Sequence, residues 1–527
     1  MEKEYIKGKV IWDDVNNCGM IKGTKLDTNL FPTIKKENIN EYVDILYETY
    51  KPYKTEYING IKDKNGKDIQ KINPINNGNH TNRNRQHTNQ TQTQNNNGAR
   101  DNRPQNNGNR RNEKPTAPYN FIPLNEKIVP SPWNDESQIP HLLQHRANLL
   151  SGYLDITLEN LSDFFIGNTT HFEDDKQKKQ CHGIKDKYGN PIIMGSSIRG
   201  MIKNLMEIMA YSKISNVNND TLYYKQNRKK QIYLKSTLDH IKYENEVALD
   251  MTQALFGEMG KFSTRLNFGS AHFLQYNGGE KEEKEKPQWY PSFYTLQSAA
   301  SPKPTYYKFY LEPEGTTTKD WNGGTLISGH KLYHHKNTND AYKSNEGRKD
   351  SDASLIKPLR PNHVFQQRIH FTNLCKEELG LLLLALKLGA DSETQQLRHK
   401  LGFGKQHGLG SMKIEIKDLI LINRQSRYQT LFDDNGNLNT GEQNKTSCVD
   451  TFISYFTTYL LENLKEKEGT SISDFWQLER MKQLAAMLNY KNIDFGNWNN
   501  ITKYLTPQQH GSNKKPLPLP TKLFTTT

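Results

Sequence analysis

Residues 189–206 read Gly-Asn-Pro-Ile-Ile-Met-Gly-Ser-Ser-Ile-Arg-Gly-Met-Ile-Lys-Asn-Leu-Met. A turn signal, Tyr188-Gly189-Asn190-Pro191, leads into a short β-type run, Ile192-Ile193-Met194. Gly195-Ser196-Ser197 then reads as a helix entry with a serine placed to cap the free amides. Behind it, Ile198, Met201, Ile202, Leu205, Met206 and Met209 recur at helical spacing. Arg199 and Lys203 stand one turn apart on another face. A helix entry of this kind with two cations is suited to holding a phosphate. The same pattern also describes an ordinary capped amphipathic helix.

The chain has 527 residues, enough for two or three domains. Its net charge of +13 points to a polyanionic partner, most simply nucleic acid. Cys18, Cys181, Cys375 and Cys448 have no CxxC spacing, which argues against a disulfide framework or an all-cysteine zinc finger. The most apolar run, 379–388, is too short to span a bilayer and reads as a buried helix. With no apolar signal region at the N-terminus, the expectation is a cytoplasmic protein with no membrane partner.

Residues 1–73 contain several short alternating runs. Gly8-Lys9-Val10-Ile11-Trp12 and Cys18-Gly19-Met20-Ile21 resemble the opening of a cold-shock or S1-like OB barrel. The resemblance implies a small β-barrel with Trp12 on an RNA-stacking surface, although Met20 stands where phenylalanine is common; a barrel without ligand fits equally. Residues 74–116 are rich in Asn, Gln, Gly and Thr with scattered arginines, and read as a disordered linker.

A folded region runs over 117–425. Strand-like 152–158, the helix after Gly195, strand-like 264–268, 306–311 and 364–371, a helix over 376–388 and a strand over 411–416 give the order β–α–β–β–α–β, with insertions at about 213–250 and 276–360. This is an α+β, ferredoxin-like (RRM) arrangement. Residues 426–527 read as a helical C-terminal cap and an irregular tail.

A second stretch bears on function. Gly402-Phe403-Gly404-Lys405-Gln406-His407-Gly408-Leu409-Gly410 is neither a P-loop nor a Rossmann fingerprint. Four glycines in nine residues allow backbone amides to approach phosphates, with Lys405 and His407 as further donors. In a ferredoxin-like sheet this loop and the Gly195 helix entry face one groove.

Taken together, Phe164-Phe165-Ile166-Gly167, the 189–200 motif, Leu255-Phe256-Gly257 and the glycine loop resemble, in order and spacing over roughly 119–420, the RAMP superfamily of CRISPR-associated proteins, type III effector subunits in particular. The resemblance implies an RRM-like core in a multi-subunit RNA-guided complex active in antiviral defence. Its partners would be guide RNA, target RNA and other effector subunits. Guide backbone would be held at Gly195, Ser196, Ser197, Arg199, Lys203, Gly402, Gly404, Lys405, His407, Gly408 and Gly410. The 213–250 insertion, with Arg228, Lys229 and Lys230, would be a thumb that separates guide–target pairing.

Slicing members of the superfamily carry an aspartate in the loop before the helix entry. Here Gln180 aligns with it. Asp174 and Asp175 lie nearby and are suited to a divalent ion such as Mg2+, and His171 or His182 to acid–base work. The loop also reads as a plain solvated one, and His171, Cys181 and His182 offer three zinc ligands without an evident fourth. The expectation is a binding subunit with no certain cofactor and no resident metal. The alternatives are that it also acts as a target-RNA endoribonuclease, with Mg2+ only in that case, or that it is a guide-RNA processing enzyme. A cold-shock-like RNA chaperone is a further rival.

Overall fold

The structure is a computed structural model. It describes strand backbones within 3–69 and most of 117–523; residues 70–116, 169–178, 215–220, 237–245, 297–308, 319–326, 343–353, 469–473 and 505–515, with shorter stretches, lie outside the described residues. The chain divides into two compact units, Met1–Gln105 and Asn106–Thr527.

In the first unit, Lys3–Lys7, Tyr42–Tyr50, Thr55–Asp63 and Asp68–Ile69 form a four-stranded antiparallel sheet in that order. Ile11–Asp13, Cys18–Ile21 and Thr24–Lys25 form a separate three-stranded one. The described pairings do not join the two sheets into the closed barrel expected from the sequence.

The second unit is built on one antiparallel sheet. Its central strand β1 (Leu150–Asn160) alternates Leu154, Ile156 and Leu158 inward with Asp155, Thr157 and Glu159 outward, the period-2 pattern of a sheet with one covered face. After β1 come β2 (Ile192–Ile193), α1 (Gly195–Met209), α2 (Met251–Phe256), β3 (Leu266–Phe268) and β4 (Ala271–Tyr276). Then follow β5 (His363–Leu374), α3 (Lys376–Lys387), β6 (His399–Lys400) and β7 (Ser411–Ile422). The order across the sheet is β2-β4-β5-β1-β7-β6. With α1 after β1 and α3 after β5, this is the ferredoxin-like β–α–β–β–α–β arrangement.

Ala271–Tyr276 is a strand additional to those expected from the sequence, paired on its outer side only at Ala271 and His272, by β2. It continues β3 after the interruption at Gly269-Ser270, and both pieces pair with β5, β3 at 369–371 and β4 at 363–366. In the run read as a strand over 306–311, the described residues Phe309 and Tyr310 are a turn. Between α1 and α2 the insertion carries an antiparallel hairpin, Thr221–Asn227 with Lys230–Ser236.

The core lies between the sheet and its helices. Ile198, Ile202, Leu205, Met206 and Met209 of α1 are buried, as its spacing predicts. In α3 every residue from Leu379 to Leu386 is buried. Such a helix is apolar all round because it is covered on both sides, here by the sheet core and by α4 (Val449–Glu468), from which Phe456 and Leu460 join the same cluster. A further helix, α5 (Glu479–Leu488), adds Met481, Leu484 and Met487 to it. Among the described residues no helix is long and apolar enough to cross a membrane.

Candidate nucleic-acid groove

One cavity of about 660 Å³ receives both sequence stretches. Ser196, Ser197 and Gly200 of α1 form one wall, and Gly402, Phe403 and Lys405 of the glycine loop form the other. Strand His330–Tyr333, which pairs with Tyr119–Ile122, supplies Lys331 and Tyr333. β6 supplies His399 and Lys400.

The entry of α1 differs from the expectation of a serine cap. The N-cap is Met194, with no side-chain hydrogen bond, and Ser196 and Ser197 are already helical. The Ser197 and Ile198 amides turn back to the Met194 carbonyl, at 3.0 and 3.4 Å. A helix start without a side-chain cap leaves amides facing an outside acceptor.

Arg199 and Lys203 do not face the groove. The Arg199 guanidinium donates to the Phe256 carbonyl at 3.0 Å and lies over the Phe256 ring at 5.0 Å. Lys203 pairs with Glu207 at 3.7 Å. Helical spacing puts the two on one face, and that face meets α2 because the apolar stripe fixes the helix rotation.

The cations of the groove come from elsewhere. The Lys331 ammonium lies 3.9 Å from the centre of the Tyr119 ring and 5.4 Å from that of Tyr333, and donates to the Tyr310 hydroxyl at 2.8 Å. Burial pushes its pKa down to about 8. Lys400 donates to the Gly408 carbonyl at 3.1 Å and to the Ser411 hydroxyl at 3.3 Å. Burial, then the neighbouring Lys336 and Lys405, hold it well below the ordinary lysine range. Lys405 is lowered by burial as well. His399 Nε2 meets the Ala385 carbonyl at 2.8 Å, and burial pushes this imidazole down to about 4, so it is neutral at pH 7. Among the described lining residues there is no Asp or Glu. With no carboxylate among the described lining residues, burial lowers all three lysines, and an arriving anion favours their charged forms.

The glycine loop acts otherwise than the sequence suggests. Gly402, Gly404, Gly408 and Gly410 all have positive φ, from 75° to 99°, which accounts for the glycines by backbone conformation. Most of the loop amides are spent internally: Phe403 donates to the Phe165 carbonyl at 2.9 Å, Gly408 to Lys405 at 3.2 Å and Gly410 to Asp163 at 2.8 Å. His407 is buried with its ring 5.3 Å from that of Tyr504. His407, Gly408 and Gly410 do not line the groove, and neither do Gly195, which is buried, nor Gly404. What the loop presents is Phe403 and the Lys405 ammonium.

The remaining sequence candidates are elsewhere. Asp174 and Asp175 lie outside the described residues, as do Arg228 and Lys229. Lys230 starts the second strand of the insertion hairpin, and Trp12 sits in Ile11–Asp13 opposite Gly19. His182 is exposed on strand Lys179–Gly183, its ring 5.5 Å from that of Phe293. Among the described residues no group of three His, Cys, Asp or Glu is placed to hold a metal.

Sequence reasoning misses Lys331 and Lys400. Lys331 stands in a basic, His-rich run, 329–336, inside the insertion at about 276–360, and its strand pairs with Tyr119–Ile122, far away in the chain. Lys400 has one available signal, its place just before the glycine loop.

No curated protein matches the chain. Among solved structures it is similar, at 11% identity, to a chain of "Cryo-EM structure of the Type III-B Cmr-beta bound to cognate target RNA". That match covers 50% of this chain and 59% of the other, with a TM-score of 0.24, too low to bear on the fold. A family model described as the RAMP superfamily matches residues 157–413, a span that opens in β1, closes in β7 and contains α1, the glycine loop and all three groove lysines.

Proposed function

We propose that this chain is an RNA-binding subunit of a type III CRISPR RNA-guided effector complex, cytoplasmic and active in antiviral defence, and that the groove holds guide RNA by its phosphate backbone. One observation carries the reading: α1 and the glycine loop converge on a cavity with three lysines and no acid among its described lining residues. Such a site selects a polyanion, and contacts of this kind carry no base sequence. Sequence reading is then left to guide–target pairing. The RAMP superfamily match over 157–413 supports the assignment.

The hairpin between α1 and α2 has the place of the thumb in this reading, and target RNA and the other effector subunits are the remaining partners. The unit Met1–Gln105 is proposed to hold an OB-like RNA-binding module followed by a linker tether. The subunit binds rather than cleaves, and Mg2+ enters only if Asp174 and Asp175 prove to cut target RNA.

The test is to purify the chain with its complex and sequence the RNA that comes with it. Repeat–spacer guide RNA is the expected cargo, and Lys405→Glu should reduce its amount whatever the guide sequence. Recovery of a complex free of small RNA, or equal loading of the variant, would sink the proposal.

A further inference from the structure

Phe403 is a large apolar side chain left 42% exposed at the wall of a cationic cavity. Its position is fixed. The Phe403 amide is bonded to the Phe165 carbonyl at 2.9 Å, and its ring meets that of Phe165 edge to face, at 6.3 Å and 68°. The flanking Gly402 and Gly404 hold left-handed conformations, with φ of 92° and 75°. A Cβ on Gly402 would come within 2.7 Å of the Phe165 carbonyl oxygen, so the loop backbone lies packed against Phe165. Phe403, held by these contacts, lines the cavity together with Lys405 and with Gly200 of α1.

An occupant that uses this site fully offers an anion and a flat apolar face together. Inorganic phosphate has no such face. Duplex RNA has its base faces already stacked, whereas a single strand can turn a base out onto an aromatic ring while its phosphates meet the lysines. We infer that the groove takes single-stranded RNA with one unpaired base stacked on Phe403, a choice of ligand form that the lysines alone do not make. The inference rests on the groove being the RNA site proposed above. Stacking on a phenyl is tolerant of base identity, so Phe403 sets strandedness and register without reading sequence.

The experiment uses the full chain and a short single-stranded RNA carrying 2-aminopurine at successive positions, with the same RNA as a duplex. Wild-type protein should quench the probe at one position, and the duplex should bind less tightly. Phe403→Ala should weaken single-strand binding roughly five- to one-hundred-fold and abolish the quench, as expected for one lost base–aromatic stack. Phe403→Tyr should keep both. Phe403→Leu, of similar bulk but without a π face, should behave like the alanine variant. Thermal melting of each variant checks folding, and the tyrosine variant keeps the test decisive if alanine unsettles the loop. Undiminished single-strand affinity and quench in Phe403→Ala and Phe403→Leu overturn the stacking inference. A groove reading that is itself wrong shows up differently, as unchanged RNA affinity in Lys331→Glu and Lys405→Glu.

Discussion

Lys331 is an ammonium enclosed by hydroxyaryl rings. Tyr119, Tyr310 and Tyr333 surround it, His330 beside it on its own strand is buried and held well below the ordinary imidazole value, and burial brings the lysine itself down to about 8. A bound phosphate favours the charged form and raises that value again. The Lys331 contribution to RNA affinity should therefore be flat below about pH 8 and fall as pH rises through it, by up to one proton. The stability effect has the opposite sign. The unfolded lysine titrates near 10.4, so between about 8 and that value the unfolded chain binds more protons and stability rises with pH. Fluorescence anisotropy with single-stranded RNA, read beside urea melts over pH 7–10, checks both directions; Lys331→Arg should remove the step near pH 8 from the affinity profile and the matching rise in stability. Gly200 makes a second residue-scale case. It stands inside α1, exposed, and lines the groove, yet a Cβ added there would meet no described protein atom within 4 Å. Alanine there should stabilise the helix by about 0.5–1 kcal/mol. It should also weaken RNA binding, because the added methyl points at space that the ligand would fill. A melt and a titration on Gly200→Ala separate the two effects, and unchanged RNA affinity would mean that no backbone passes close to this turn.

At the scale of elements, α3 is anchored at its first turn. The buried Glu378 carboxylate forms an ion pair with Arg265, accepts from the Trp133 indole at 2.9 Å and from the Cys375 amide at 3.1 Å. Arg265 in turn donates to the Asn373 carbonyl at 2.9 Å, so β5, α3 and the chain leading into β3 are joined at one point. Glu378→Ala leaves a buried guanidinium unpaired and should cost about 3–5 kcal/mol, visible as a lowered urea midpoint with RNA binding retained in the folded fraction. The elements themselves are largely legible in the sequence. The 3.6-residue spacing of α1, the continuous apolar run of α3 and the alternation in β1 each follow from which face meets the core. The strand Ala271–Tyr276 is not, because Gly269 and Ser270 interrupt the run and, with only Ala271 of its residues buried, it lacks a strong apolar pattern. The groove is legible by halves. Both stretches reach it, but the rotation of α1 sends Arg199 and Lys203 to the other side, and the glycines serve their own backbone. The working cations sit on elements joined by long-range pairing, which no local spacing encodes.

Over the whole molecule, the net charge of +13 draws a polyanion from any direction, and the groove has to be distinguished from that general field. Salt dependence does this. Each phosphate neutralised on a single strand contributes about −0.7 to the slope of log K against log salt. Lys331 and Lys405 therefore account for about −1.4 of the slope measured for the full chain, and the rest of the basic surface adds to it. A double variant, Lys331→Gln with Lys405→Gln, should be shallower than wild type by about 1.4, and weaker at every salt concentration. A change of equal size at a basic position outside the groove, such as Lys387 and Lys417, should lower the slope less, because those side chains already pair with Asp450 and Glu415. Parallel salt lines for wild type and the groove variant would mean that RNA is held by the diffuse positive field alone. A shallower line confined to the groove variant would place the phosphates between α1 and the glycine loop.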